Sequence, residues 1–251
     1  MPTFKLSEVM NGLVWLTREL YGAVMAPAPD APTYHEHVLT YSLTSCTGAL
    51  LGLMCIDVWA RAGKAPGNFT HQIVRPCSSS GGRPVVALNC SFRRLYADEE
   101  GLNFDHVKML LHEFGHCLHC LFSDVKYASL SGTTTPDDHV ELPSVLHEKF
   151  LHDPRFLSQI TKATLPIGIC SKLIANDCKS IGYMLLRNVS SSILDLRLHM
   201  LPLHELEKED FSVEDFERKL HADLGMPPQI PYLYESSAFE HIFRFDYRYY
   251  M

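Results

Sequence analysis

Apolar residues along the chain switch between two spacings. At the N-terminus, MPTFKLSEVMNGLVWLTRELYGAVM carries them at helical intervals, which predicts an amphipathic helix over residues 6–25, ended by Pro27, Pro29 and Pro32. His37 to Ser45 and Leu50 to Trp59 hold β-branched and apolar residues on either side of Thr47-Gly48, the pattern of a hairpin, and Val85 to Phe92 is a further apolar strand. Arg61 to Gly82, with its Pro and Gly residues and the run Ser78-Ser79-Ser80, reads as a loop-rich crossover. From Asp105 the helical interval returns. Val107, Leu110, Leu111, Phe114, Leu118 and Leu121 share one face of a helix, with Asp105 as its expected N-cap. Further helices are expected from Pro136 or Asp137 and over 155–163, 166–201 and 212–223, with breaks near Pro166, Pro202 and Gly225-Met226-Pro227-Pro228. Glu207 to Asp210 reads as a solvated charge run. The pattern holds no internal repeat and fits one domain, mainly α with a small β-sheet, an α+β class.

Composition narrows the partners. With 46% hydrophobic and 20% charged residues, 251 residues can bury a full core. A net charge of −7 without a basic stripe argues against nucleic acid, and no apolar run approaches the roughly 18 residues of a membrane span. The first residues form neither a signal peptide nor an Arg-rich transit peptide. The eight cysteines are irregularly spaced and are expected to be reduced, mostly buried thiols of an intracellular chain, where the N-x-[ST] matches at Asn68, Asn89 and Asn188 arise by chance. Cys117-Leu118-His119-Cys120 has CxxC spacing but no second pair, and reads as a continuation of the helix.

That helix carries the chemistry. His112-Glu113-Phe114-Gly115-His116 has HExxH spacing. Residues four apart on a helix stand about 40° apart around the axis and roughly 6 Å apart along it, so both imidazoles can converge on one ion. Glu113 projects beside that ion and can take a proton from a water whose pKa zinc lowers to about 7, then pass it to the departing amine. Gly115, costing up to about 1 kcal/mol in a helix interior, is expected to admit other backbone close to the metal. The pairs His35-Glu36, His147-Glu148 and His204-Glu205 have no His at the fourth position and read as surface or packing residues.

A peptidase zinc needs three protein ligands and one open position. No HxxGxxH continuation supplies a third His, which leaves a carboxylate from a second helix. Downstream, Asp138 and Glu141 lie three apart and share a face, with Glu141 as the ligand and Asp138 as a partner for a ligating imidazole. The bend that brings this segment round is expected at Ser131-Gly132-Thr133, where Gly132 tolerates a conformation that larger residues resist.

At this point the chain resembles the thimet oligopeptidase family of zinc metallopeptidases, most nearly its mitochondrial intermediate peptidase branch. HEFGHCLH is similar to the family's HE-[FM]-GH-x-x-H helix. SGTTTPDDHVELPSVLHEKF is similar to its SGT-x-x-x-x-D-x-x-E-x-PS-x-x-x-E-[FYW]-[FW] segment. GALLGLMCIDVWARAGKAP resembles a family strand and the Arg-x-x-Lys loop after it, RPVVALNCSF the next strand, and FEHIFRFDYRYYM the substrate-binding His/Tyr loop. The resemblance implies a zincin-type catalytic domain with one zinc ion, ligands His112, His116 and Glu141, and Glu113 as general base. It also implies that His241 and Tyr249 donate hydrogen bonds to the developing oxyanion.

Departures temper that expectation. Arg244, Phe245, Asp246 and Tyr247 stand where the loop is usually rich in small residues, Phe245 falls at a usual Tyr, and His139 replaces an apolar residue beside Glu141. Residues 1–251 read as a single catalytic region without the family's N-terminal helical region and last helices: a fragment, a truncated product or a reduced relative. Two readings follow. One is a zinc endopeptidase acting on short or extended peptides, by resemblance in the mitochondrial matrix on N-terminal segments of imported precursors. The other is a non-catalytic zinc- or peptide-binding remnant.

Overall fold

A computed structural model describes residues 3–76, 81–93, 101–161, 168–227 and 229. The chain divides into two compact units, Met1–Cys170 and Ser171–Met251.

The first unit opens with strand β1 (Phe4–Lys5) and helix α1 (Leu6–Tyr21). Leu6, Val9, Met10, Leu13 and Leu16 form the buried stripe of α1. The helix ends four residues before the expected position. Gly22 takes a left-handed conformation (φ 62°) and its N–H bonds Arg18 O, so the chain turns before the prolines and Val24–Pro27 becomes strand β2. Strands β3 (Leu39–Thr44) and β4 (Leu50–Trp59) form the expected hairpin. Strand β6 (Val85–Phe92) matches its expected bounds and pairs parallel to β4.

Between them lies an element missing from the sequence reading. Phe69–Val74 forms β5, antiparallel to β6 and at the edge of a five-stranded sheet of order β2-β3-β4-β6-β5. Its residues are exposed or half-buried, so it shows no apolar run to betray it in a Pro- and Gly-rich stretch. A second, two-stranded sheet pairs β1 with β7 (Gly101–Leu102).

Helix α2 (Phe104–Leu121) packs its six predicted apolar residues, all buried, toward the sheet. Its N-cap is Asn103, whose side chain accepts from His106 N at 2.8 Å. Asp105 lies instead in the first turn, where its charge suits the helix dipole. After α2 the chain bends through Gly132, whose φ of 54° fits its expected role.

The helix expected to carry Glu141 is two helices. Helix α3 (Asp137–Val140) stops at Glu141, and α4 (Leu142–Glu148) begins beyond it. Pro143 has no N–H to offer the carbonyl of His139, so the hydrogen-bond ladder breaks at the point where Glu141 sits. Helix α5 (Pro154–Ile160), capped by Asp153, closes the unit against α1.

The second unit is helical. It comprises α6 (Ile169–His199), which begins just before the boundary, α7 (Leu203–Leu206) and α8 (Val213–Asp223), the last capped by Ser212. Glu207 to Asp210 is exposed, as a solvated run should be. No helix among the described residues is long and apolar enough to cross a membrane.

Candidate metal centre

Two elements build the site. Helix α2 presents His112, Glu113 and His116 on one side of its buried stripe, and the α3–α4 junction presents Glu141. The two helices meet at Gly115. A Cβ there would stand 2.6 Å from Pro143 O and 2.7 Å from Ser144 Cα, so only glycine allows α4 to lie this close. The glycine's expected role therefore holds, and its neighbour is the backbone that follows Glu141.

His112, His116 and Glu141 converge, with one donor atom from each lying within 4.8 Å of the others. Glu141 Oε2 is 3.2 Å from His112 Nε2 and 3.1 Å from His116 Nε2. Donors at about 2.0–2.2 Å from a tetrahedral ion lie roughly 3.3–3.6 Å from one another, and the separations of Glu141 from the two imidazoles fall within a few tenths of an ångström of that range.

Each group is held from behind. Glu148 Oε1 stands 2.7 Å from His112 Nδ1, which leaves Nε2 to face the centre. Lys108 lies 3.7 Å from the other Glu148 oxygen. Ser144 donates to Glu141 Oε2 at 2.7 Å, and Thr70 donates to Glu113 Oε2 at 3.0 Å. Glu148 is thus neither a surface nor a packing residue, as its place in a His-Glu pair implied. It takes the part expected of Asp138, whose side chain lies outside the described residues. His147 is a packing residue: buried, it places Nδ1 2.6 Å from Pro143 O and Nε2 3.1 Å from the hydroxyl of Tyr21.

Thr70, Ser144 and Glu148 were missed as contributors. For two of them a signal existed, because Ser144 and Glu148 are fixed letters of the PS-x-x-x-E segment. Thr70 had none, since its strand was unseen. His241 and Tyr249 lie outside the described residues.

The electrostatics suit a cation. Burial disfavours the charged form of His112, but hydrogen bonds to Glu141 and Glu148 outweigh it and raise its pKa to about 9 in the protein alone. The hydrogen bonds from His112 and His116 hold Glu141 well below the ordinary carboxylate range. Burial pushes Glu113 upward, against the hydrogen bond from Thr70, which makes it a better base. The cysteines of the helix take no visible part: Cys117 and Cys120 are free and buried, with their thiols pushed up by burial.

The dipeptidyl carboxypeptidase of Escherichia coli (strain K12) is 34% identical over 96% of this chain and 36% of its own length. Oligopeptidase A of the same organism is 30% identical over 79% of this chain and 31% of its own length. The mitochondrial intermediate peptidase of Arabidopsis thaliana is 36% identical over 63% of this chain and 23% of its own. The chain thus spans about a third or less of the length of these relatives. The model of peptidase family M3 matches residues 1–251, and this chain belongs to that family of metallopeptidases.

Proposed function

We propose that this chain is the zincin-type catalytic region of a zinc peptidase that hydrolyses peptide bonds. The observation that carries the reading is the convergence of His112, His116 and Glu141 within 4.8 Å beside the buried carboxylate of Glu113. Those three side chains would hold one zinc ion. Zinc so bound supplies a Lewis acid and brings the pKa of a water near 7.

Glu113 handles the proton. As the water oxygen bonds to the scissile carbonyl carbon, the Glu113 carboxylate accepts the water's proton, and it releases that proton to the amine nitrogen as the C–N bond breaks. Thr70 fixes the carboxylate during both transfers, and Glu148 keeps the His112 ring in register. His241 and Tyr249 would donate to the oxyanion, on the strength of the family resemblance alone.

The relatives' names support peptides as substrates and differ in the kind of cleavage they describe. A mitochondrial setting, with trimming of imported precursors, finds support in the relatives named mitochondrial intermediate peptidase. Bacterial relatives of similar identity belong to organisms without that compartment.

The test is Glu113→Gln, assayed for bound zinc and for hydrolysis of a quenched fluorescent peptide. Zinc content should be unchanged while turnover falls by about 10²- to 10⁴-fold. Undiminished turnover would refute the mechanism. Zinc without turnover in the unaltered chain would favour a non-catalytic zinc- or peptide-binding remnant.

A further inference from the structure

We propose that Tyr21 and His147 form a strut that fixes where Glu141 stands in the metal centre, so that His147 is a positioning residue for zinc although it is none of the ligands. The proposal rests on the zinc reading above and adds what holds the third ligand in place.

His147 is 1% exposed, and its ring centroid lies 6.1 Å from that of Phe114, 6.0 Å from that of Phe150 and 6.0 Å from that of Tyr21. An imidazole buried among apolar rings costs free energy unless both nitrogens find partners. Both do. Pro143 O, 2.6 Å away, can only accept, so Nδ1 carries the hydrogen and donates it. Burial holds the pKa of His147 below its ordinary value, so the ring is neutral and Nε2 keeps its lone pair. The Tyr21 hydroxyl, 3.1 Å from Nε2, is therefore the donor. One tautomer and one ring orientation result, with α1 pinning one nitrogen and the other holding α4. Packing explains the burial of His147 and not these two directed bonds.

The bond falls on the backbone that carries Glu141. Pro143 is two residues beyond that ligand, and its ring fixes its own φ. Ser144, the next residue, donates to Glu141 Oε2 at 2.7 Å and to Glu141 O at 2.8 Å. A shift of the Pro143 carbonyl is thus passed to the Glu141 carboxylate through a short, stiff link. Helix α2 makes the room. A Cβ on Gly115 would lie 3.0 Å from His147 Nδ1 as well as 2.6 Å from Pro143 O, so the absent side chain admits the donor and the acceptor together. At the far end, Tyr21 is the last residue of α1, and its ring packs 4.9 Å from that of Phe122, which follows α2. The strut therefore ties Glu141 to the same two helices that frame the histidines. A ligand held to within about 0.5 Å binds as a preorganised donor, and one left loose does not.

Metal binding reads this without turnover. Zinc affinity is measured by competition with a chelator, and the visible band of the cobalt(II)-loaded protein reports the geometry of the ligands. His147→Asn sets an amide nitrogen near the place of Nδ1, His147→Gln sets one near that of Nε2, and His147→Leu offers neither. The Leu and Gln variants should bind zinc about tenfold more weakly and shift the cobalt band, whereas His147→Asn should stay within about threefold with its band in place. Space-filling alone would not sort the three by the nitrogen they replace. Tyr21→Phe should weaken zinc about threefold in the unaltered chain and have no effect beside His147→Leu. Unchanged affinity and band in a folded His147→Leu protein, equal behaviour of the Asn and Gln variants, or an equal effect of Tyr21→Phe in both backgrounds overturns the proposal. Should His147→Leu fail to fold, Tyr21→Phe is tested beside His147→Gln, and the Asn and Gln pair decides. An unaltered chain that binds no zinc removes the metal centre and the strut with it, whereas equal zinc binding by every variant removes the strut alone.

Discussion

Asp57 and Glu141 are carboxylates of the same unit, and the chain treats them in opposite ways. Asp57, 1% exposed, receives Arg61 on both oxygens and Lys64 on one, and Lys64 also reaches the backbone carbonyls of Asp57, Trp59 and Cys90 at 2.6–3.2 Å. Glu141, 35% exposed, is given two imidazoles and a hydroxyl. Arginine and lysine, held here by a carboxylate, carry their charge at neutral pH and close their site. Imidazoles can give up their protons, and three converging donors that can all be deprotonated form a site for a cation from outside. What distinguishes a structural carboxylate cluster from a candidate metal centre here is which bases the chain places around it.

Removing the carboxylate from the closed site should have the largest effect on stability. Asp57→Asn strands two cations, one of them Lys64 at 7% exposure, and should cost about 3–5 kcal/mol in chemical denaturation while leaving zinc affinity unchanged. A loss of zinc with retained stability would erase the contrast. The same variant sharpens it through pH. Although burial alone would raise it, the hydrogen bonds from Arg61 and Lys64 dominate and set the folded pKa of Asp57 below its ordinary 3.8. Its contribution is therefore fully present above pH 3.8 and is lost as pH falls through the lower folded value. The gap in stability between Asp57→Asn and the unaltered chain should accordingly be constant from pH 7 to about 4 and narrow below it.

In the open site the corresponding change is smaller. Glu148→Gln retains an acceptor for His112 Nδ1 but removes the charge, and should weaken zinc binding about 10- to 100-fold in competition with a chelator, with thermal stability of the metal-free chain little altered. Unaltered zinc affinity would make Glu148 a packing residue after all. Gly115→Ala should act on stability and on zinc binding together. Despite the higher helix propensity of alanine, its Cβ meets the α4 backbone, so the variant should lose about 1–3 kcal/mol and bind zinc more weakly as Glu141 is pushed away. Increased stability would mean that α4 yields at no cost.

Legibility followed the range of the interactions. Helix α2 and its two histidines were readable because an interval of four residues is a local geometric fact, and β6 because its apolar run is contiguous. The edge strand β5 was not, since half-exposed residues in a Pro- and Gly-rich stretch carry no period and its partner, β6, follows a further crossover. The end of α1 at Gly22 and the cap at Asn103 differed from expectation by a few residues, where turn and cap geometry overrode periodicity. Glu148 escaped because its partner is 36 residues away, and Thr70 because its partner is 43 away.

By itself, then, the sequence determined the donor types, the helix that spaces two of them, the apolar stripe that orients it and the family to which the chain belongs. Tertiary structure alone decided that Glu141 sits at a break between two short helices, that Gly115 lets those helices touch, and that Glu148, Ser144 and Thr70 stand behind the working groups. The division has a physical reason. Periodicity records how one segment faces the core, whereas a metal centre depends on where separate segments meet, and that is set by packing over the whole unit.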